Sequence, residues 1–254
     1  LRVFAGPNGS GKSTIINSIR NIRIKGAPID FGVYINADEI AEELRNNCFC
    51  FSNYTVGVGL QDFEKTVLES GLIGKEFPET RFKNCYSLCN NRIRLTSGPD
   101  DERLAQIVAD FLRKRLLKER KKFSFETVFS HTSKVDIIKE AEKLGYKVYL
   151  YFISTENPEI NVYRVKEVRI KQKGHDVPEE KIRSRYYRSM NLLYQASQYA
   201  YQSYYFDNSA DGKDYRLFAH FKLNRNGEKI WDKLVPDNIP IWFYKYYIEK
   251  AKNQ

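Results

Sequence analysis

The stretch Gly6-Pro7-Asn8-Gly9-Ser10-Gly11-Lys12-Ser13-Thr14 follows directly on the apolar run Leu1 to Ala5 and satisfies G-x-x-x-x-G-K-[ST] in full. This order restricts the local fold severely. The apolar run suits a buried parallel strand, and Lys12 to Arg20 reads as a helix with Ile15, Ile16 and Ile19 on one face. Between them the glycines let the backbone curl so that its N–H groups converge on phosphate oxygens, and the helix N-terminus adds favourable partial charge. On this reading Gly6 to Thr14 cradle the phosphates of ATP. Lys12 reaches the β- and γ-phosphates, and the Ser13 hydroxyl ligates Mg²⁺.

Strand and helix patterns then alternate. Val33 to Ile35 reads as a second strand leading into a helix from Asp38 to about Asn46, and Phe123 to Thr127 as a third strand before a helix from Lys134 to Lys143. Tyr146 to Ile153 is the strongest strand pattern. Two helices follow, Pro158 to Lys173 and Pro178 to Tyr201, joined by Gly174-His175-Asp176-Val177. Tyr204 to Phe206 is a fifth strand, and Leu217 to Leu223 pairs with Lys229 to Trp231 across Asn226-Gly227. The expected fold is α/β, a P-loop NTPase-type, mainly parallel sheet with helices on both faces. One P-loop kinase-like domain is expected over 1–254, with an insertion at 47–99, a helical lid at 158–201 and a C-terminal extension at 215–254. The insertion holds all four cysteines and shows few periodicities.

Charge narrows partners only a little. A net charge of +10 attracts anions, ATP and nucleic acid alike. Much of it sits in Arg113-Lys114-Arg115 and Lys118 to Lys122, which read as a solvated helix face rather than a nucleic-acid stripe. No stretch reaches the roughly 18 apolar residues of a membrane helix, and no leader is visible before the motif, so the expectation is cytoplasmic residence without a membrane partner.

The phosphate loop establishes nucleotide binding better than it establishes a reaction. No strand ends in the paired acids of a Walker B motif, which disfavours a motor ATPase and leaves a compact kinase. Such chemistry needs an acceptor-side carboxylate and mobile arginines. Asp38, just past the second strand, suits a general base or a cap for the helix that follows. Glu126, in the apolar Phe125-Glu126-Thr127, suits acceptor binding or a buried structural pair. Among the cations between Asn161 and Arg188, the candidates for the transferring phosphoryl group are Arg164, Arg169 and Arg185.

The phosphate loop, Asn36-Ala37-Asp38, Phe125-Glu126-Thr127 and Gly174-His175-Asp176-Val177-Pro178 together resemble the zeta toxin / UDP-N-acetylglucosamine kinase family, over residues 1–46 and about 100–209. The resemblance implies phosphorylation of the sugar 3′-hydroxyl of UDP-N-acetylglucosamine, and an antitoxin protein in some members. It makes Asp38 the general base, Glu126 an acceptor-side residue, Lys12 the phosphate-binding lysine and Arg164 the first of two site arginines. The second is unassigned, because His175-Asp176-Val177 stands where the toxins carry an arginine. The insertion is a further departure and bears on the acceptor pocket. A nucleic-acid-end kinase or nucleic-acid-stimulated ATPase, and a nucleotide-dependent interaction module, are the rival functions.

Cys48-x-Cys50 and Cys85-x₃-Cys89 are spaced for reduced thiols or, less naturally, a four-thiolate zinc site. The aromatic tail Trp242 to Tyr247 reads as packing rather than a base-stacking platform.

Overall fold

The apolar run before the glycine loop forms β1 (Arg2–Ala5), in which Val3, Phe4 and Ala5 are fully buried. Helix α1 (Lys12–Asn21) follows, burying Ile15, Ile16 and Ile19 as their spacing predicts. The short strands β2 (Arg23–Ile24) and β3 (Ala27–Pro28) pair antiparallel. The computed structural model describes residues 1–96, 98, 100–169, 177–210, 212–234 and 238–253. It divides into two compact units, one formed by Leu1–Asp30 with Glu126–Gln254 and the other by Phe31–Phe125.

The second unit opens with β4 (Val33–Ile35) and α2 (Ala37–Asn46). It continues through β5 (Phe49–Cys50), α3 (Leu60–Leu68), α4 (Glu79–Asn84), β6 (Tyr86–Cys89) and β7 (Arg92–Leu95). Helix α5 (Asp101–Lys118) and β8 (Phe123–Thr127) close it, and β8 pairs in parallel with β4. The low-periodicity stretch is ordered around a three-stranded antiparallel sheet in the order β5-β7-β6. Its elements are too short to print a repeat on the sequence. Aromatic edges hold it together: Phe51, Phe63 and Phe111 meet at 5.1–6.0 Å between ring centroids, and Phe63 meets Tyr86 at 5.5 Å. Each such pair contributes about 0.5–1.5 kcal/mol beyond area burial.

The basic run on α5 is not a uniformly solvated face. Arg113 is buried, donates to Asp110 at 3.1 Å and lies over the Phe125 ring, and burial lowers its pKa against the pull of Asp110. Lys114 pairs with Asp110, Arg115 with Asp62 and Glu119, and Lys121 with Glu119. Four cations of this run thus meet three carboxylates, Asp62, Asp110 and Glu119.

The first unit resumes with α6 (Ser133–Lys143) and β9 (Tyr149–Ser154). Of the expected helix from Pro158 to Lys173, α7 (Pro158–Tyr163) passes directly into a π-helical turn, Arg164–Arg169, and residues 170–176, including His175, lie outside the described residues. Helix α8 (Glu179–Gln198) starts after Pro178. A small apolar cluster of Val162, Val165, Val177 and Ile182 ties these segments together.

Strands β10 (Gln202–Asp207), β11 (Arg216–Leu223) and β12 (Lys229–Leu234) are followed by the tail helices α9 (Ile241–Phe243) and α10 (Glu249–Lys252). β9 runs parallel to both β1 and β10, while β11 and β12 add on antiparallel. The architecture is a mixed α/β one in which the strands bearing the loop pair in parallel, as in P-loop NTPases. Trp242 and Phe243 are buried, with Phe243 at 4.8 Å from Tyr205 and Trp242 at 5.5 Å from Phe218. The tail's aromatic rings other than the exposed Tyr244 are core.

Candidate active site

The loop Gly6 to Gly11 leaves the carboxyl end of β1, where parallel strands conventionally face their ligands. All three of its glycines are enforced by both dihedral angle and space, Gly9 having φ 72° and room for no Cβ, which would sit 2.8 Å from the Asn161 carbonyl oxygen. Gly6 has φ 149° and a Cβ there would sit 2.0 Å from the Ile153 carbonyl oxygen; Gly11 has φ 91° and a Cβ would sit 2.3 Å from Asn208 Nδ2. A strand, the turn after β10 and helix α7 therefore press against the loop at these glycines.

Two polar clamps hold the curled backbone, and an arginine meets one of its side chains. Asn161, fully buried on α7, donates from Nδ2 to the Asn8 carbonyl at 2.5 Å, while its Oδ1 accepts from Thr155 Oγ1. Asn208 donates from Nδ2 to the Ser10 carbonyl at 2.9 Å, and its own N–H donates to the Ser154 carbonyl. Arg185, on α8, approaches Asn8 Oδ1 at 3.4 Å. Asn161 and Thr155 escaped the sequence reading because a lone Asn or Thr near a helix start looks like capping or turn chemistry. Their burial was the missing signal, and sequence does not display it.

Lys12 lies on the first turn of α1 and is buried. Its Nζ donates to the Pro7 carbonyl at 3.0 Å, which folds the side chain back over the loop, and stands 3.9 Å from Glu126 Oε1. Glu126 is thus brought to the loop lysine. Ser13 and Thr14, on the same first turn, are exposed. The residues fit ATP with Mg²⁺: the curled loop ends at a helix N-terminus, with an exposed hydroxyl at Ser13 and an ammonium group at Lys12.

The arginines part company. Arg164 donates to the Asn208 carbonyl at 2.7 Å and to the Ala210 carbonyl at 3.4 Å, so it braces the turn after β10. With Glu159, Ile160, Tyr163 and Ser209 it lines a cleft of about 270 Å³. Arg183 pairs with Glu159 and Glu179. Arg169 ends the π-helical turn, and its side chain lies outside the described residues. Of the two candidates whose side chains are described, Arg185 is the one that meets a phosphate-loop residue.

The turn beside that cleft is held from the distant tail. Asp207 accepts from Ser209 Oγ at 2.6 Å and from Trp242 Nε1 at 3.1 Å, and Ser209 Oγ accepts from the Glu156 N–H at 2.8 Å. Burial pushes the Glu156 carboxyl up, and the charge of Asp207 adds to the shift.

In the other unit, Asp38 stands exposed three residues beyond Ile35, which pairs with Phe125. The helix cap there is Asn36, whose Oδ1 accepts from the Asp38 N–H at 2.9 Å. The capping alternative for Asp38 therefore falls: it occupies the second helical position, and its carboxylate is not what caps the helix. The four cysteines are free thiols, and among the described residues no group of three or more His, Cys, Asp or Glu side chains is placed to hold a metal ion. No described helix is long and apolar enough to cross a membrane.

No protein family profile matches the chain. An uncharacterized protein of Haemophilus influenzae is 31% identical over 103 residues, which cover 38% of this chain and 71% of the relative. Among solved structures, the AvrRxo1-ORF1:AvrRxo1-ORF2 complex with sulphate ions contains a similar chain with TM-score 0.51 and 13% identity, aligned over 91% of this chain. This chain spans 60% of that one. The PezAT toxin-antitoxin system of Streptococcus pneumoniae gives TM-score 0.44 and 11% identity over 98% of this chain and 78% of the other. The α/β fold expected from the phosphate loop and its flanking strands is the fold observed, and the similar chain of the AvrRxo1-ORF1:AvrRxo1-ORF2 structure shares it.

Proposed function

This chain belongs to one family with the Haemophilus influenzae protein, and we propose that it is an ATP-dependent kinase that phosphorylates a hydroxyl of a small molecule, with a nucleotide sugar such as UDP-N-acetylglucosamine as the acceptor class. The observation that carries the reading is the clamped phosphate loop, with Lys12 folded over it and Glu126 at 3.9 Å from that lysine. A loop held in shape by Asn161 and Asn208 loses little entropy when it meets a triphosphate. Lys12 neutralises the β- and γ-phosphates, Ser13 holds Mg²⁺, and Arg185 meets charge that develops on the transferring group. Mg²⁺ held at the Ser13 hydroxyl would offset the negative charge of the phosphates. Arg164 shapes the 270 Å³ cleft that suits the adenine, and Asp38 takes the proton of the acceptor hydroxyl. Segments 158–201 serve as a lid over ATP.

The acceptor and a partner protein follow from the resemblance to the zeta toxins. AvrRxo1-ORF1 is held in a complex with ORF2, and PezAT is a toxin-antitoxin system, so a small antitoxin is the partner we propose. The test is mass spectrometry of a metabolite extract, and of UDP-N-acetylglucosamine alone, incubated with protein, ATP and Mg²⁺. A product heavier by one phosphate, absent with Lys12→Ala, supports the kinase. ATP binding with no acceptor-dependent turnover across the extract overturns it.

A further inference from the structure

The β5-β7-β6 sheet of the Phe31–Phe125 unit has two unlike faces. Phe49, Tyr86 and Ile93 are buried. On the opposite face the register sets Ser87 across from Arg94, and Cys89 and Cys50 on either side of Arg92. Arg92, Arg94, Ser87 and Cys89 are all exposed, and with Asn90 they line a cleft of about 430 Å³. The turn joining β6 and β7 is Asn90-Asn91, both with positive φ, at 48° and 62°. That is the geometry of a tight two-residue hairpin, which holds the two strands in register.

The charge on this face is uncompensated. Elsewhere in the unit arginines meet carboxylates: Arg45 with Asp101, Arg81 with Asp100, Arg113 with Asp110 and Arg115 with Asp62. Among the described residues neither Arg92 nor Arg94 forms an ion pair; Arg92 hydrogen-bonds the Cys50 thiol. Two residues apart on one strand, their Cα atoms are about 6.8 Å apart and point the same way, so two like charges are held side by side. Such an arrangement stores repulsion that an anion between the forks relieves, and planar guanidinium groups bind phosphate oxygens in bidentate fashion.

We propose that this face is a second anion site, separate in its residues from the ATP loop, that binds the phosphate or diphosphate group of a small phosphorylated molecule through Arg92 and Arg94, with Ser87 and Asn90 as neutral hydrogen-bonding groups. The volume lies within the range of small-molecule pockets. A nucleic-acid strand is disfavoured because the lining contains no aromatic ring on which a base could stack. The site does not depend on the kinase reading, since none of its residues belongs to the loop.

The test uses the full chain with the phosphate loop filled by a non-hydrolysable ATP analogue, and pyrophosphate as the probe. Calorimetry should show one further equivalent bound, weakened about 10- to 100-fold in Arg92→Gln/Arg94→Gln, the range expected when charge-assisted hydrogen bonds are lost. Arg94→Gln alone should weaken it too, and circular dichroism should show both variants folded. Peptide-resolved alkylation gives a local readout: pyrophosphate should slow iodoacetamide labelling of Cys89 while leaving Cys48 unchanged. No second equivalent at millimolar pyrophosphate, equal binding in the folded double variant, or unprotected Cys89 overturns the site. Oligonucleotide binding that strengthens with strand length, without pyrophosphate protection, overturns it in favour of a nucleic-acid surface.

Discussion

Asn161→Ala is the substitution on which the account of the phosphate loop depends most. The side chain is fully buried and makes two hydrogen bonds, donating to the Asn8 carbonyl at 2.5 Å and accepting from Thr155 Oγ1. Thr155 keeps a second partner, the Asn157 carbonyl at 3.1 Å, but the buried Asn8 carbonyl is left without this donor. Two net hydrogen bonds at about 1 kcal/mol each, plus the desolvation cost of an orphaned acceptor at about 1–2 kcal/mol, give a loss of roughly 3–4 kcal/mol. In a chain of this length that lowers Tm by about 6–16 °C. Because the lost bond fixes the loop itself, ATP affinity should also fall by about tenfold, which one hydrogen bond's worth of pre-organisation predicts. Thermal unfolding and calorimetry with ATP measure the two effects. Asn161→Asp is the sharper variant, since it sets a carboxylate oxygen against the Asn8 carbonyl at the same position and should be worse than Ala. A stability change below about 0.5 kcal/mol with unaltered ATP affinity would show that the clamp does not hold the loop.

Lys12→Ala should abolish phosphoryl transfer and weaken ATP binding, read by a coupled ATPase assay and calorimetry, because the charge over the loop is removed. Asp38→Asn should leave Tm unchanged, since Asn36 is the cap, yet lower acceptor phosphorylation by a factor on the order of 10² to 10⁴; an unchanged rate removes Asp38 from the mechanism and leaves Glu126 as the acidic candidate. Arg185→Ala should lower kcat more than it raises KM for ATP, and an unaltered kcat would move the role to Arg169, whose side chain is not described. Lys229, half-buried between Phe221 and Tyr247, has its pKa pushed down by burial to about 8. Its charged form is disfavoured in the folded state, so the penalty is in force below about pH 8 and is relieved as pH rises toward the ordinary lysine value. Lys229→Met should therefore raise Tm at pH 7, with an advantage over the parent that shrinks between pH 8 and 10; an advantage constant with pH would assign it to packing alone.

Much of the fold and the centre of the site was legible in the sequence. The order apolar strand, glycine loop, amphipathic helix fixes β1, the loop and α1, because φ values such as 91° at Gly11 are open chiefly to glycine and the Ile15, Ile16, Ile19 spacing has one buried solution. The parallel strands were legible for a similar reason: Phe123 to Thr127 and Tyr149 to Ser154 are apolar runs of strand length flanked by helix patterns. Local chemistry was enough wherever neighbours in sequence are neighbours in space. It failed at Asp38, where Asn and Asp two residues apart are equally good caps, and only the backbone decides that Asn36 is the cap.

Tertiary structure alone decided the rest. Asn161 reaches Asn8 across 153 positions of sequence, Asn208 reaches Ser10 across 198, and Trp242 braces the Asp207 turn from the tail. None of these partners differs in type from a surface Asn or a core Trp. Their roles arise because parallel pairing of β1, β9 and β10 brings three strand ends to one edge, where buried polar groups must find one another or remain unsatisfied. The same holds for the cations. Sequence offered Arg164, Arg169 and Arg185 as candidates, with Arg164 put first by the resemblance, and the fold sets Arg164 against two carbonyls of the 208–210 turn and Arg185 against the loop. A side chain's type fixes what it can bond; which partner lies within 3 Å is a property of the folded chain.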